Sequence, residues 1–299
     1  MNQQESKYKV LLFYKYVEFS NPEKFREDHL QFCLDNDIKG RIFISTEGIN
    51  GTVSGTIKNI ELYKSQVKSY PEFSDIWFKV DDANEHAFFK THVRVKNEIV
   101  HADFGKVDLQ KTGKRLKPDD LNKFYEENKD FVIVDARNTY ESEIGRFKNA
   151  VTPEMKTFRD WTKVVDELKD FKDKTVVTYC TGGIRCEKAS AYLVEQGFKD
   201  VYQLEGGIVT YTKDNPDKYW EGSIFVFDER RIVQPNTKTE LQHTGKCYYC
   251  GQPASWYINC HNQNCDKLLV TCHNCKIENE YCCSDKCRTS DNKRKRIHG

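Results

Sequence analysis

The residues with the widest chemical reach in this 299-residue chain are its twelve cysteines, and they are unevenly placed. Only Cys33 falls before position 180, Cys180 and Cys186 share one central segment, and the other nine crowd between 247 and 287. Cys180 ends TVVTYC, a run of strand-forming residues, and Thr181, Gly182 and Gly183 follow before a helical pattern that starts near Arg185. Ligand sites in open α/β sheets form at the carboxyl ends of strands. The glycines allow backbone N–H groups to converge on an anion, and a helix N-terminus adds partial positive charge. Both favour a thiolate, and a neighbouring arginine helps draw a cysteine pKa from ~8.5 into the range ~3.5–7.5. Cys180 is therefore the candidate nucleophile, with Arg185 as its charge partner or as the clamp for an anionic adduct. The backbone of Thr181, Gly182, Gly183 and Ile184 is the candidate substrate cradle. The plain alternative is a small apolar residue closing a buried strand.

Three neighbours carry two readings each. Cys186 either resolves an oxidised or persulfidated Cys180, as a third catalytic residue, or packs in the first helical turn. Asp135 and Arg137, ending FVIVDAR, either face the same crevice as substrate-binding groups or form an internal ion pair that fixes the loop. Glu141 is of the same kind.

The cysteine-rich end suits metal. Cys247-x2-Cys250 and Cys272-x2-Cys275 lie 21 residues apart, interleaved with Cys260-x4-Cys265 and Cys282-Cys283-x3-Cys287. Paired knuckles bring soft ligands two at a time to one ion. The order suggests a cross-brace, with 247, 250, 272 and 275 at one site. The second takes Cys260, Cys265, Cys287 and one of the adjacent pair, for which Cys282 is chosen over Cys283. His261 and His273 are substitutes. Disulfides or bare thiols are the alternatives, but a segment this short and polar needs staples of some kind. Zinc held by four thiolates has no open position for water, so its role would be structural.

These groups need elements to position them. The length points to two or three compact units, and 38% hydrophobic with 13% aromatic residues is enough to build cores. Lys and Arg number 47 against 46 Asp and Glu, so bulk charge does not indicate a nucleic-acid partner. MNQQESKYKV has no leader pattern and no apolar run approaches ~18 residues, which predicts a soluble cytoplasmic protein without a membrane partner. YKVLLFYKYVEF reads as a strand, and a helix opens at Pro22 with Cys33 on its apolar face. The strand RIFIS, a turn-rich stretch over Glu47–Thr52, the strand TVSG, a helix over 57–69 and a strand over Ile76–Val80 follow. This β-α-β-β-α-β order predicts a ferredoxin-like, acylphosphatase-like α+β domain over 1–100. Its extension interleaves Phe88, Phe89, Lys90, His92, Arg94 and Lys96, a pattern suited equally to packing and to RNA. A linker over 101–117 leads to an α/β domain with a parallel sheet over 118–222, where FVIV and VVTY suit strands buried on both faces. A connector over 223–245, the cysteine-rich segment over 246–288 and a basic tail over 289–299 complete the chain. The tail is either solvated or a phosphate contact.

Ile133–Ala150, YCTGGIRCEKASAYL and Leu204–Ile208 resemble the strand-and-loop signature, active-site loop and closing segment of rhodaneses. The Cys-x4-Arg loop matches the sulfurtransferases, unlike the Cys-x5-Arg of related phosphatases. Glu47-Gly-Ile-Asn50-Gly51-Thr52, CTGGIRCEKAS and FVFDER with the cysteine-rich end together resemble the tRNA uridine hydroxylase family of rhodanese-related proteins. That resemblance implies oxygen-dependent conversion of the wobble uridine to 5-hydroxyuridine. Molecular oxygen would be the co-substrate and the tRNA anticodon loop the partner. No nucleotide fingerprint is evident. The resemblance to rhodaneses leaves a sulfurtransferase with a sulfur donor as the alternative, and an inert RNA-binding module as another.

Overall fold

The computed structural model describes residues 6–105, 107–235 and 243–294. The first domain is a five-stranded sheet with two helices on one face. Its elements are β1 (Tyr8–Tyr16), α1 (Pro22–Asp35), β2 (Lys39–Ser45), β3 (Gly48–Thr56), α2 (Ile57–Lys68), β4 (Phe78–Ala83) and β5 (Thr91–Val95). The order β4-β1-β3-β2 is the ferredoxin-like arrangement, and β5 adds a fifth strand parallel to β2. Side chains alternate along β1. Leu11 and Phe13 enter the core with Phe25, Tyr63 and Val67 of the helices, which leaves Leu12, Tyr14 and Tyr16 on the opposite face. Cys33 lies fully buried in this core, and burial pushes its thiol up to about 12.

The second domain contains β6 (Lys114–Leu116), α3 (Pro118–Glu126), β7 (Phe131–Asp135), α4 (Thr139–Glu143), β8 (Gly145–Phe147), α5 (Trp161–Glu167), β9 (Thr175–Tyr179), α6 (Ile184–Glu195), β10 (Asp200–Leu204) and α7 (Gly207–Asp214). Its parallel sheet runs β6-β10-β9-β7. Val176 joins α5 and α6 in one core while Val177 joins α3 and α7 in the other. Both faces are therefore dry, the condition that unbroken apolar strands satisfy.

β11 (Trp220–Gly222) pairs with β8, and β12 (Ile224–Phe225) pairs with β13 (Ile232–Val233). The cysteine-rich module is the hairpin β14 (Trp256–Asn259) and β15 (Leu268–Thr271), followed by α8 (His273–Glu278) and α9 (Asp285–Arg288). It docks through aromatic rings: Phe225 lies 5.1 Å from Tyr140 and 5.5 Å from Tyr257, centroid to centroid. No helix among the described residues is long and apolar enough to cross a membrane.

Four expectations change. The stretch read as turn-rich is β3 from Gly48 onward, because its small residues pair with β1 on one side and β2 on the other. The linker contains β6, whose three residues are too few to show periodicity yet form the sheet edge. The aromatic and basic extension divides by burial: Phe88 and Val93 pack inside, while Phe89, Arg94 and Lys96 stay exposed. The tail is ordered through Arg294, which bonds Asp266 at 2.6 Å while Asn262 bridges Lys293; positions 295–299 lie outside the described residues.

The first two domains are joined by a buried charge. Lys188 of α6, 4% exposed, meets Glu47 at 3.0 Å and Glu98 at 2.8 Å, two carboxylates of the first domain that are each about a quarter exposed. Lys188→Ala leaves these carboxylates facing each other, and their partial hydration moderates the penalty of a fully buried pair. We expect a loss of about 2 kcal/mol, read as a lowered urea midpoint for the transition that separates the domains.

Candidate active site between the first two domains

Cys180 follows β9 directly and its loop turns into α6 at Gly183, whose φ of +102° only glycine adopts without strain. The turn aims the backbone inward, so that Gly183 N–H donates to Cys180 Sγ at 3.1 Å. The Gly206–Gly207 turn backs the loop, with Ile208 N–H donating to the Cys180 carbonyl at 3.0 Å. Cys180 is 1% exposed. Burial alone raises its thiol, but the Cys186 side chain, the Arg185 charge and the N–H groups of Cys186 and Gly183 outweigh that and bring it down to about 6. These surroundings favour the thiolate over the thiol. Cys186 is fully buried beside it and held protonated, pushed well above the usual thiol range by burial and by its hydrogen bond to Cys180.

Arg185 is not the free clamp that its spacing allows. Nη1 and Nη2 meet the two oxygens of fully buried Glu141 at 2.6 and 2.8 Å, and Nη2 also lies 3.5 Å from Thr181 Oγ1. Arg185 acts on Cys180 through its charge, while Glu141 takes the two-pronged face of its guanidinium. Asp135 and Arg137 are brought close to the loop but not into the cleft. Arg137 Nε and Nη2 bind Asp135 at 2.9 and 2.6 Å, and Nη2 also donates to the Gly145 carbonyl at 2.6 Å, with neither side chain more than 1% exposed. The pair takes the form of the internal ion pair, its groups spent on each other and on the backbone.

The first domain roofs the loop. A Cβ on Gly182 would stand 2.6 Å from Leu12 Cδ2, and one on Gly183 would stand 2.9 Å from the Tyr14 hydroxyl. Tyr14 donates to Glu187 at 3.0 Å, and Glu187 also binds Arg115 at 2.7 Å and Gln203 at 3.0 Å. The cleft between the domains measures about 1980 Å³ and includes Leu12, Tyr14, Trp77, Lys79, Cys180, Thr181, Gly182, Ile184 and Arg185 in its lining. Sequence reasoning missed the grip of Glu141, for which the signal was the capping box Asn138-x-x-Glu141. It also missed Tyr14, Trp77 and Lys79, which no local pattern connects to position 180.

In the cysteine-rich module, Cys247, Cys250, Cys272 and Cys275 place their sulfurs within 4.8 Å of one another, as do Cys260, Cys265, Cys283 and Cys287. Thiolates at ~2.3 Å from a tetrahedral zinc stand about 3.8 Å apart. Separations of 3.9 Å for Cys250–Cys272 and 3.6 Å for Cys265–Cys283 and Cys283–Cys287 fit that geometry. Cys283, where Cys282 was expected, is the fourth member of the second cluster. Cys282 is fully buried outside the cluster, its carbonyl bound by Tyr249 at 2.9 Å.

The Cys180 geometry predicts an alkylation midpoint. Iodoacetamide should titrate Cys180 near pH 6. Arg185→Gln, which removes the positive charge and leaves Glu141 negative, should move the midpoint toward the ordinary thiol range; an unmoved midpoint would exclude the charge as a cause.

Family models match the three segments in turn: the UPF0176 acylphosphatase like domain over residues 8–99, the Rhodanese-like domain over 117–214 and Rhodanase C-terminal over 221–288. Proteins named tRNA uridine(34) hydroxylase are similar over nearly the whole chain. The Bacillus licheniformis protein is 45% identical over 95% of this chain and 89% of its own. The Bacillus velezensis protein is 46% identical over 96% and 90%, and the Acholeplasma laidlawii protein 44% identical over 97% and 92%. With its three segments in order and this identity along almost its full length, the chain belongs to the tRNA uridine(34) hydroxylase family.

Proposed function

We propose that this protein hydroxylates C5 of the wobble uridine in the tRNA anticodon loop with molecular oxygen, using Cys180 as nucleophile. The observation that carries this reading is a cysteine poised as thiolate at the floor of an interdomain cleft, in a chain of this family. An anticodon loop is single-stranded, so a base can leave the stack at little cost and enter the cleft. Uracil C5 is a poor nucleophile until a thiolate adds at C6 and turns C5 into the carbon end of an enolate. That carbon attacks dioxygen.

Converting C5–H and dioxygen to C5–OH and water consumes two electrons and two protons. Two thiols becoming a disulfide release both, and Cys186 is the thiol hydrogen-bonded to Cys180. Cys186 takes the distal oxygen, Cys180 leaves C6 as the C5 proton departs, and the two sulfurs condense with loss of water. An external thiol restores the pair. Thr181, Gly182 and Ile184 line the cleft, while the Arg185 charge favours ionised Cys180. The two sulfur clusters fit zinc, which would hold the module folded and leave no position for chemistry. A tRNA substrate supports a cytoplasmic location.

Sulfur transfer shares the loop, but Glu141 occupies the arginine that would hold an anionic donor. Thiosulfate followed by intact-mass measurement should show no added sulfur on Cys180. In cells carrying only Cys180→Ala, 5-hydroxyuridine in tRNA should fall to background by nucleoside mass spectrometry, and unchanged content would sink the proposal. With heavy-isotope dioxygen the product should gain one labelled atom. Without added thiol, wild type should stop after one turnover carrying a Cys180–Cys186 disulfide, and Cys186→Ser should make less product in that first turnover. Elemental analysis of purified protein should give two zinc ions per chain, and chelation should unfold the module over 246–288.

A further inference from the structure

Three cations around the Cys180 loop are tied to carboxylates: Arg185 to Glu141, Lys188 to Glu47 and Glu98, Arg115 to Glu187. Lys79 is not. Among the described residues its ammonium makes no hydrogen bond or ion pair, and lies 5.0 Å from the Tyr14 ring centre and 4.4 Å from that of Trp77.

Strand alternation puts it there. Phe78 turns into the first domain's core, 5.3 Å from Phe13, so Trp77 and Lys79 turn toward the cleft. Trp77 leans on the turn behind the reactive loop, since a Cβ on Gly206 would stand 2.7 Å from Trp77 Cη2. One residue on, a Cβ on Gly207 would stand 2.6 Å from the Cys180 carbonyl oxygen. Trp77 is still 47% exposed and offers ring surface to a planar ligand. The Lys79 ammonium therefore projects into the same cleft as Cys180, carried by a different domain.

We propose that Lys79 is a catalytic residue, whose ammonium binds O4 of the uracil ring and stabilises the enolate formed when the Cys180 thiolate adds at C6. This rests on the function proposed above. In the step, the S–C6 bond forms and the C5–C6 π pair moves into the C5–C4–O4 system. Nothing leaves, and Lys79 keeps its proton. A preorganised donor aimed at developing charge stabilises the transition state more than the ground state. The same contact discriminates between bases. An ammonium has three donors and no acceptor, so it accepts the carbonyl oxygen of uracil and is mismatched with the amino group that cytosine carries at that position.

The groups facing Lys79 are Cys180, Arg115, Glu187, Glu205 and the Tyr14 ring. Burial lowers its pKa most and the Cys180 charge opposes this, leaving it at about 8. Activity should therefore rise through about 6 as Cys180 ionises and fall through about 8 as Lys79 loses its proton.

The test uses full-length zinc-loaded protein, unmodified tRNA, dioxygen and excess thiol, with wild type, Lys79→Met and Lys79→Arg compared across pH. Lys79→Met should lower kcat by about 100-fold, leave KM within about threefold and abolish the upper pH limb. Lys79→Arg should keep most of the activity and carry the upper limb out of the measured range. Thermal unfolding and the rate of Cys180 alkylation at pH 8 serve as fold controls; if the methionine variant fails them, the arginine pH profile decides. An unchanged kcat in Lys79→Met, a loss confined to KM, or an upper limb that stays near 8 in Lys79→Arg would each overturn the proposal. Wild type that makes no 5-hydroxyuridine, or Cys180→Ala that still makes it, would overturn the underlying function. Active wild type with equally active Lys79→Met overturns Lys79 alone.

Discussion

The bidentate contact between Arg185 and Glu141 is the interaction on which the active loop depends. Both groups are buried, and charges removed from water are tolerated only when paired and hydrogen-bonded. Such a pair is a weak source of net stability, because desolvation offsets most of its attraction. Its effect is positional. It ties the first turn of α6 to α4, so the loop from Cys180 to Gly183 has one available course. It also sets a positive charge beside Cys180 without presenting a free guanidinium to the cleft. Glu141 in turn is placed by its capping contact to Asn138 N–H, at 3.2 Å.

That constraint spreads outward through neighbours. Tyr140, adjacent to Glu141, receives Phe225 and Tyr257 and accepts the Tyr257 hydroxyl at its carbonyl. The cysteine-rich module thus grips the strand-to-helix segment that carries Glu141. On the other side, Arg137 holds the carbonyls of Glu141 and Gly145 while neutralised by Asp135. A module outside the cleft is therefore linked to the Cys180 loop through a continuous set of contacts. Structural metal there would stiffen the frame behind Glu141, a role that needs no open coordination position.

The first domain completes the site in a different way. It has no covalent chemistry of its own, but its exposed sheet face is the ceiling above Gly182 and Gly183. Two charged bridges of α6, Lys188 to Glu47 and Glu98 and Glu187 to Tyr14, set the separation of ceiling and floor. The glycines allow that approach: side chains at 182 and 183 would collide with Leu12 and Tyr14 before any base could enter. The space that remains is bounded by a thiolate below and by aromatic rings and an ammonium above, a combination suited to a planar, electron-poor base.

Much of this was legible in the sequence. Fold class followed from element order, and the expectation of a lowered thiol at Cys180 rested on a strand end, two glycines and an arginine, because backbone geometry and helix polarity act within a few residues. Cysteine spacing likewise defined two sulfur clusters. What sequence could not decide were the choices made by partners distant along the chain. Glu141 takes Arg185, Asp135 takes Arg137, and Cys283 joins the second sulfur cluster while its neighbour Cys282 is buried outside it. The ceiling of Leu12, Tyr14, Trp77 and Lys79 lies more than a hundred residues from Cys180 along the chain. Side-chain charge and ring faces carry no record of what will face them, and only the packing of one domain on another assigns that.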